Sequence, residues 1–244
     1  MQCIGIIPAR FASTRFPGKP LVDLGGKYMI QRVYEQCQKS QLLDEVIIAT
    51  DDQRIYEVVL QFGGKVKMTR SKHQSGTDRI AEVAADYQAE DIIVNIQGDE
   101  PFIDPQLIDA LISPLKEAKS QITTAAVSIK ESEAIFDPNV VKVVFNQHKS
   151  ALYFSRSPIP FQRGEDQSSW LANGEYFKHI GIYAFLQSTL LEVSQANISR
   201  LEKQESLEQL RWLDIGKTIY VHQTEHESIG IDTPDDLEKI KHLL

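Results

Sequence analysis

The order of apolar runs and helical segments predicts an α/β protein whose mixed, mostly parallel sheet is flanked by helices. Three observations carry that expectation. Short Ile- and Val-rich runs alternate with segments of helical period, the pattern left by parallel strands joined through crossover helices. At 244 residues the chain is long enough to bury one large core without covalent staples. Its 42% hydrophobic and 25% charged residues are ordinary for a globular protein, and no low-complexity tract or fixed-period repeat interrupts them.

In chain order, Cys3 to Pro8, Val46 to Thr50, Ile92 to Ile96 and Ile122 to Ile129 read as strands. Helical spacing falls between them, near 29–40, 53–62, 78–88 and 105–118. In the second half Val140 to Phe145, His179 to Phe185 and Thr218 to Thr224 are strands, while Ser188 to Gln195 and Gln204 to Leu213 are helices. The final helix has clear start chemistry. Thr233 is its N-cap, Pro234 takes the first helical position, and Asp235 and Asp236 complement the positive end of the dipole. The stretch from Phe161 to Asn173 lacks periodicity and reads as a mobile loop or an excursion from the main domain. The expected organisation is therefore a single domain over 1–244 with a mobile or dimer-forming excursion around 155–178.

Composition also excludes function classes. A formal charge of −8 repels nucleic-acid phosphates, so no nucleic-acid partner is expected. The N-terminus MQCIGIIPAR has no basic region followed by a long apolar run, and nothing approaches the apolar length of a bilayer span. No membrane association is expected, and cytoplasmic residence is the default. Cys3 and Cys37 match neither a CxxC pair nor a metal-ligand spacing and read as small apolar residues in a reducing compartment. His222 and His226 have a helical spacing within a segment that reads as strand, so they do not converge on a metal.

Against that acidic background, Arg10, Arg15 and Lys19 crowd the loop from Pro8 to Pro20, directly after the first strand. Open parallel sheets bind ligands at the carboxyl ends of their strands. Arg forks and a Lys point charge suit phosphate, and a loop of small residues lets backbone N–H groups approach the same oxygens. The competing reading is a solvated turn. The loop is not a Walker A motif, because proline follows Gly18-Lys19 and leaves no Ser or Thr for magnesium. A second constellation is the strand Ile92 to Ile96 ending in Gln97-Gly98-Asp99-Glu100. Asp99 there is a plausible magnesium ligand, since that ion shares one or two carboxylates with substrate phosphates. The alternative is a turn ahead of a helix capped by Asp104. Asp232, just before the last helix, supplies a second acid, and Asp51-Asp52 a further pair not distinguishable from a helix-starting turn. A third constellation, Ser75-Gly76-Thr77-Asp78-Arg79, offers small residues against which a flat base could lie. A helix N-cap explains it equally well.

The segments IIPARFASTRFPGKPL, SGTDR, NIQGDEP, YFSRSPIP, HIGIYAF, ESLEQLR and GIDTPDDLE occur in order from residue 6 to residue 238. Together they closely resemble the 3-deoxy-manno-octulosonate cytidylyltransferases, or CMP-KDO synthetases. The loop spelling separates the chain from CMP-sialic acid synthetases and terpenoid-pathway cytidylyltransferases, which are similar in fold. The resemblance implies a GT-A-like nucleotidyltransferase (nucleotide-diphospho-sugar transferase) fold, a homodimer, and activation of an eight-carbon sugar acid by CTP for lipopolysaccharide synthesis. It implies that Pro8, Ala9, Arg10, Arg15, Lys19, Ser75, Gly76 and Arg79 receive CTP. Asp99 and Asp232 would hold magnesium (Mg2+), and Arg10, Lys19, Asp99 and Asp232 would carry catalysis. Gln97, Arg156, His179, Tyr183, Glu208 and Gln209 match motifs on the sugar side. One departure from the family pattern is Tyr28, where proline usually follows Gly-Lys, with an expected effect on local packing. Two rival readings are the same reaction on an 8-amino-octulosonate or another ulosonic acid, and a non-catalytic nucleotide-binding regulatory protein on the same fold.

Overall fold

The computed structural model describes residues 1–12, 16–226 and 230–240. Its strands are β1 (Cys3–Ala9), β2 (Glu45–Thr50), β3 (Val66–Met68), β4 (Ile92–Asn95), β5 (Ile122–Ser128), β6 (Lys142–Phe145), β7 (Ala151–Ser155), β8 (Phe177–Leu186) and β9 (Ile219–Thr224). The helices are α1 (Met29–Cys37), α2 (Gln53–Gln61), α3 (Gly76–Ala84), α4 (Pro105–Lys116), α5 (Ser132–Phe136), α6 (Trp170–Asn173), α7 (Gln187–Gln195), α8 (Arg200–Glu205), α9 (Gln209–Asp214) and α10 (Pro234–Ile240). Along the main sheet the order is β3-β2-β1-β4-β8-β5-β9, with β6 and β7 attached beside β8. β1, β2, β3 and β4 run parallel, β5 and β9 run parallel to each other, and β8 is antiparallel to both of its neighbours, β4 and β5. The sheet is thus mixed and mostly parallel, as the alternation of elements predicts.

Period-two alternation along β1 divides the core. Cys3, Ile7 and Ala9 pack with Ile30, Val33 and Cys37 of α1 and Leu107 and Leu111 of α4 on one face. Ile4 and Ile6 pack with Ile80 and Val83 of α3, Leu190 of α7 and Trp212 of α9 on the other. Because both faces are covered, the strand reads as a continuous apolar run. No helix among the described residues is long and apolar enough to cross a membrane.

Three expectations need amendment. The segment expected to be one helix over 204–213 is broken, because Ser206 adopts a left-handed φ of 53° and ends α8 before α9 begins. The expected helix over 78–88 starts earlier, with Ser75 as N-cap and Asp78 completing a capping box. β3 and β7, three and five residues long, are additions that short runs do not announce. At the other end the start chemistry of α10 is as expected. The Thr233 hydroxyl and N–H both donate to Asp236, and Asp236 N–H returns a bond to Thr233 Oγ1.

The aperiodic stretch 161–173 is anchored to the main body through Trp170 and through Gln162, whose amide donates to the Tyr176 hydroxyl at 3.1 Å. Trp170 is buried and packs with Ile129, Ile135 and Tyr176 in a satellite cluster, its ring stacked on Tyr176 at 6.2 Å. Tyr28 is 38% exposed at the entry to α1.

Candidate active site

β1 and β4 are parallel neighbours, with Ile6 opposite Asn95, so the residues after both strands emerge at one edge of the sheet. Gly98 lets them come close: a Cβ there would lie 3.0 Å from the Pro8 carbonyl oxygen. After Ala9 the chain turns through a loop closed by the Gly18 N–H donating to the Phe11 carbonyl at 2.9 Å. Gly18 holds a φ of 72°, a conformation that disfavours any Cβ. The turn starting at Lys19 thereby aims that side chain back across the strand ends.

Lys19 Nζ donates to Asp99 Oδ2 at 2.7 Å and to Asp232 Oδ1 at 3.0 Å. A main-chain bond registers the two acids, because Ile231 N–H donates to the Asp99 carbonyl at 2.9 Å. Ile231 is itself buried with Leu24 and Met29, which docks the segment before α10 onto the loop region. Two hard carboxylates converging on one cation make a donor set suited to magnesium, whose remaining ligands would be nucleotide phosphates and water.

Arg10 donates from Nη2 to the Ser75 carbonyl at 2.9 Å. Burial, followed by repulsion from Arg79, pulls its pKa below the ordinary arginine value, so this cation gains by meeting an anion. Pro8, Ala9, Arg10, Lys19, Gly76, Gln97 and Asp99 line one open cleft of about 400 Å3. Gly76 opens α3, whose capped N-terminus faces this cleft with the positive end of its dipole. Arg15 lies outside the described residues.

A deeper cavity of about 140 Å3 shares Pro8, Gly76 and Gln97 with the cleft and adds Tyr183, Glu208 and Gln209. Four of the expected sugar-side residues thus come together. Gln97 donates from Nε2 to the Gly181 carbonyl at 2.8 Å. Glu208 accepts from the Thr77 hydroxyl at 2.8 Å, with Arg211 Nη2 3.6 Å away. Burial dominates its environment and raises its pKa above the usual carboxylate value. Burial likewise raises the Tyr183 hydroxyl well above its ordinary value, keeping it protonated.

Three expected site residues are placed elsewhere. Arg79 is fully buried, donates to Thr69 and pairs with Asp51 at 3.1 Å, so it braces the segment after β2 and lies off the lining of both cavities. The apolar face of α3 that carries Ile80 and Val83 into the core takes the adjacent Arg79 inward with it. Arg156 lies off the lining of both cavities, its guanidinium donating to the carbonyls of Glu205, Pro138 and Ser206. His179 sits behind the cavity, with Nε2 3.0 Å from Thr124 Oγ1 and its ring 5.4 Å from that of Tyr183. Burial of the ring lowers its pKa to about 3. Two residues of the deeper cavity escape the sequence reading, Asn95 and Trp212. The signal for Asn95 was a lone amide closing an otherwise apolar strand. Trp212 gave none, because its helical spacing reads as core.

Comparison with known proteins agrees with this arrangement. The family model described as Cytidylyltransferase matches residues 4–219. A 3-deoxy-manno-octulosonate cytidylyltransferase of Parabacteroides distasonis is 51% identical, with 98% of this chain and 96% of that protein covered. One of Geobacter sulfurreducens is 50% identical, covering 98% of each. Among solved structures, a CMP:2-keto-3-deoxy-manno-octonic acid synthetase complexed with CTP superposes with a TM-score of 0.92 at 42% identity, over 100% of this chain and 98% of that one. A 4-diphosphocytidyl-2C-methyl-D-erythritol synthase shares the fold at a TM-score of 0.66 and 14% identity, over 100% of this chain and 99% of that one. With its loop cations, its paired acids and full-length identity all in agreement, the chain belongs to the 3-deoxy-manno-octulosonate cytidylyltransferase family.

Proposed function

We propose that this protein transfers CMP from CTP to the anomeric 2-hydroxyl of 3-deoxy-D-manno-octulosonate, giving CMP-KDO and pyrophosphate. The observation that carries the reading is the meeting of Arg10 and Lys19 with Asp99 and Asp232 at the rim of one cleft, next to a second, polar cavity. The anomeric oxygen forms a bond to the α-phosphorus as the bond to the pyrophosphate oxygen breaks. Arg10 and Lys19, with Arg15 of the same loop, bind the triphosphate and offset charge on the departing pyrophosphate. Ser75 and Gly76 at the start of α3 receive the nucleoside, and Gln97, Tyr183, Glu208 and Gln209 receive the sugar acid.

Asp99 and Asp232 would hold magnesium. When bound, that ion supplies Lewis-acid stabilisation of phosphoryl oxygens and acidifies an attacking hydroxyl. Lys19 bridges the same two acids, and with magnesium held there its ammonium would be released toward the phosphates.

The product serves lipopolysaccharide assembly in the cytoplasm, and the chain works as a homodimer. Supporting the dimer, Leu152 of β7 and Phe161, in the excursion that follows it, are 61% and 73% exposed. Sedimentation at equilibrium measures the assembly. The activity itself is tested by pyrophosphate release with CTP and magnesium across octulosonic, amino-octulosonic and nonulosonic acids. Fastest turnover is expected with 3-deoxy-D-manno-octulosonate, and no release with any of them defeats the reading.

A further inference from the structure

The deeper cavity carries polar chemistry that the residues assigned above leave unused. Asn95, at the end of β4, is 5% exposed, and Trp212, in α9, is 1% exposed; both line the cavity. Asn95 Oδ1 and Trp212 Nε1 make no hydrogen bond among the described residues. In the same cavity the Thr77 hydroxyl bonds Glu208 and the Gln97 amide bonds Gly181, while the Tyr183 hydroxyl is a third buried group without a hydrogen bond among the described residues. A buried polar atom without a partner is costly, and native proteins keep few of them, often at functional sites.

The two atoms differ in kind. An indole N–H only donates, and an amide oxygen only accepts. Both are held in place. The Trp212 ring meets Tyr183 and Phe185 edge-on at 4.8 and 5.2 Å, and Asn95 lies in the β-ladder opposite Tyr183. One fixed donor and one fixed acceptor, beside the Tyr183 phenol that can do either, suit a hydroxyl group, which both accepts and donates. They do not suit an ammonium, which has three donors and leaves the indole N–H facing another donor. The opposing influence is the Glu208 carboxylate, which attracts a cation; Arg211 at 3.6 Å offsets part of its charge, its closer partner being Glu202 at 2.7 Å.

We propose that Asn95 and Trp212 are specificity-determining residues that recognise a neutral hydroxyl of the sugar acid and reject a hydrogen or an amino group in its place. This rests on the cytidylyl-transfer reading above and extends it to the choice among ulosonic acids.

The test uses the whole protein with CTP and magnesium, following pyrophosphate release from the parent octulosonate, its monodeoxy analogues and its 8-amino analogue. In the unmodified protein, kcat/KM is expected to fall by about 100-fold or more for the analogue lacking the recognised hydroxyl. Trp212→Phe removes the N–H and keeps an aromatic ring, and Asn95→Leu removes the acceptor at similar volume. Each is expected to lower kcat/KM for the parent sugar by about 10-fold and to shrink its preference over that analogue, while KM for CTP stays within about twofold. Variants that keep the original preference overturn the proposal. So does an unmodified protein that turns over every analogue within about threefold of the parent, a criterion that stands even if neither variant folds. Absence of turnover with every sugar acid is a separate outcome: it defeats the activity and this inference with it.

Discussion

The Lys19 ammonium lies 2.7 Å from the Asp99 carboxylate and reaches Asp232 from the same position. In the ligand-free protein one cation therefore sits between the two acids that would hold a metal. Lys19→Met is expected to lower kcat/KM by about 100- to 1,000-fold, the scale of losing one preorganised charge contact. It is also expected to tighten divalent-ion binding without nucleotide, because the Lys19 charge no longer competes for the two acids. Calorimetric titration with manganese checks the second effect, and an unchanged affinity would show that the ammonium does not compete.

Asp99→Asn and Asp232→Asn keep the shape of each side chain and remove its charge. Each is expected to cost at least about 100-fold in turnover with magnesium and little thermal stability. A protein with near-normal turnover after either change would sink the metal assignment.

Arg79 separates structure from substrate binding. Its guanidinium is fully buried and its counter-ion is Asp51, so Arg79→Met leaves that carboxylate without its cation. A loss of roughly 3 kcal/mol is expected, visible as a shifted denaturant midpoint. The double change Arg79→Met with Asp51→Asn should recover part of it. A direct contact with CTP would instead appear as a higher KM that the second change does not repair.

His179 gives a pH dependence of stability. Its folded-state pKa is about 3 against an ordinary 6.5, so between those values the unfolded chain binds a proton that the folded chain does not. Stability is unaffected by this group above the upper value and falls as pH drops through the window, by up to about 1.4 kcal/mol per pH unit. His179→Gln should flatten the loss between pH 6 and pH 4 relative to the parent, as measured by chemical denaturation. An identical loss in both proteins would show that the ring is protonated in the fold.

How far the sequence predicted these features depended on the range of the forces involved. Main strands and the caps of α10 were legible because hydrophobic period and hydrogen bonds between near neighbours determine them. The charged loop and the acids Asp99 and Asp232 were legible because charge density against an acidic background is a local signal. The burial of Arg79 was not legible, because its partner Asp51 is contributed by another strand end. The contacts of Arg156 were hidden in the same way, since the carbonyls around its guanidinium come from chain segments around 138 and 205. Asn95 and Trp212 gain meaning only where β4 and α9 are brought together, a relation that no spacing records.

The bond from Ile231 to the Asp99 carbonyl has a temporal consequence. Every strand of the sheet can be in place while the two acids are still apart, since Asp232 is carried by a terminal segment docked through Ile231 and Leu237 against Leu24 and Met29. During synthesis, the reaction centre is completed after the sheet that supports it. On heating, release of that one segment would silence the protein before the rest of the molecule melts.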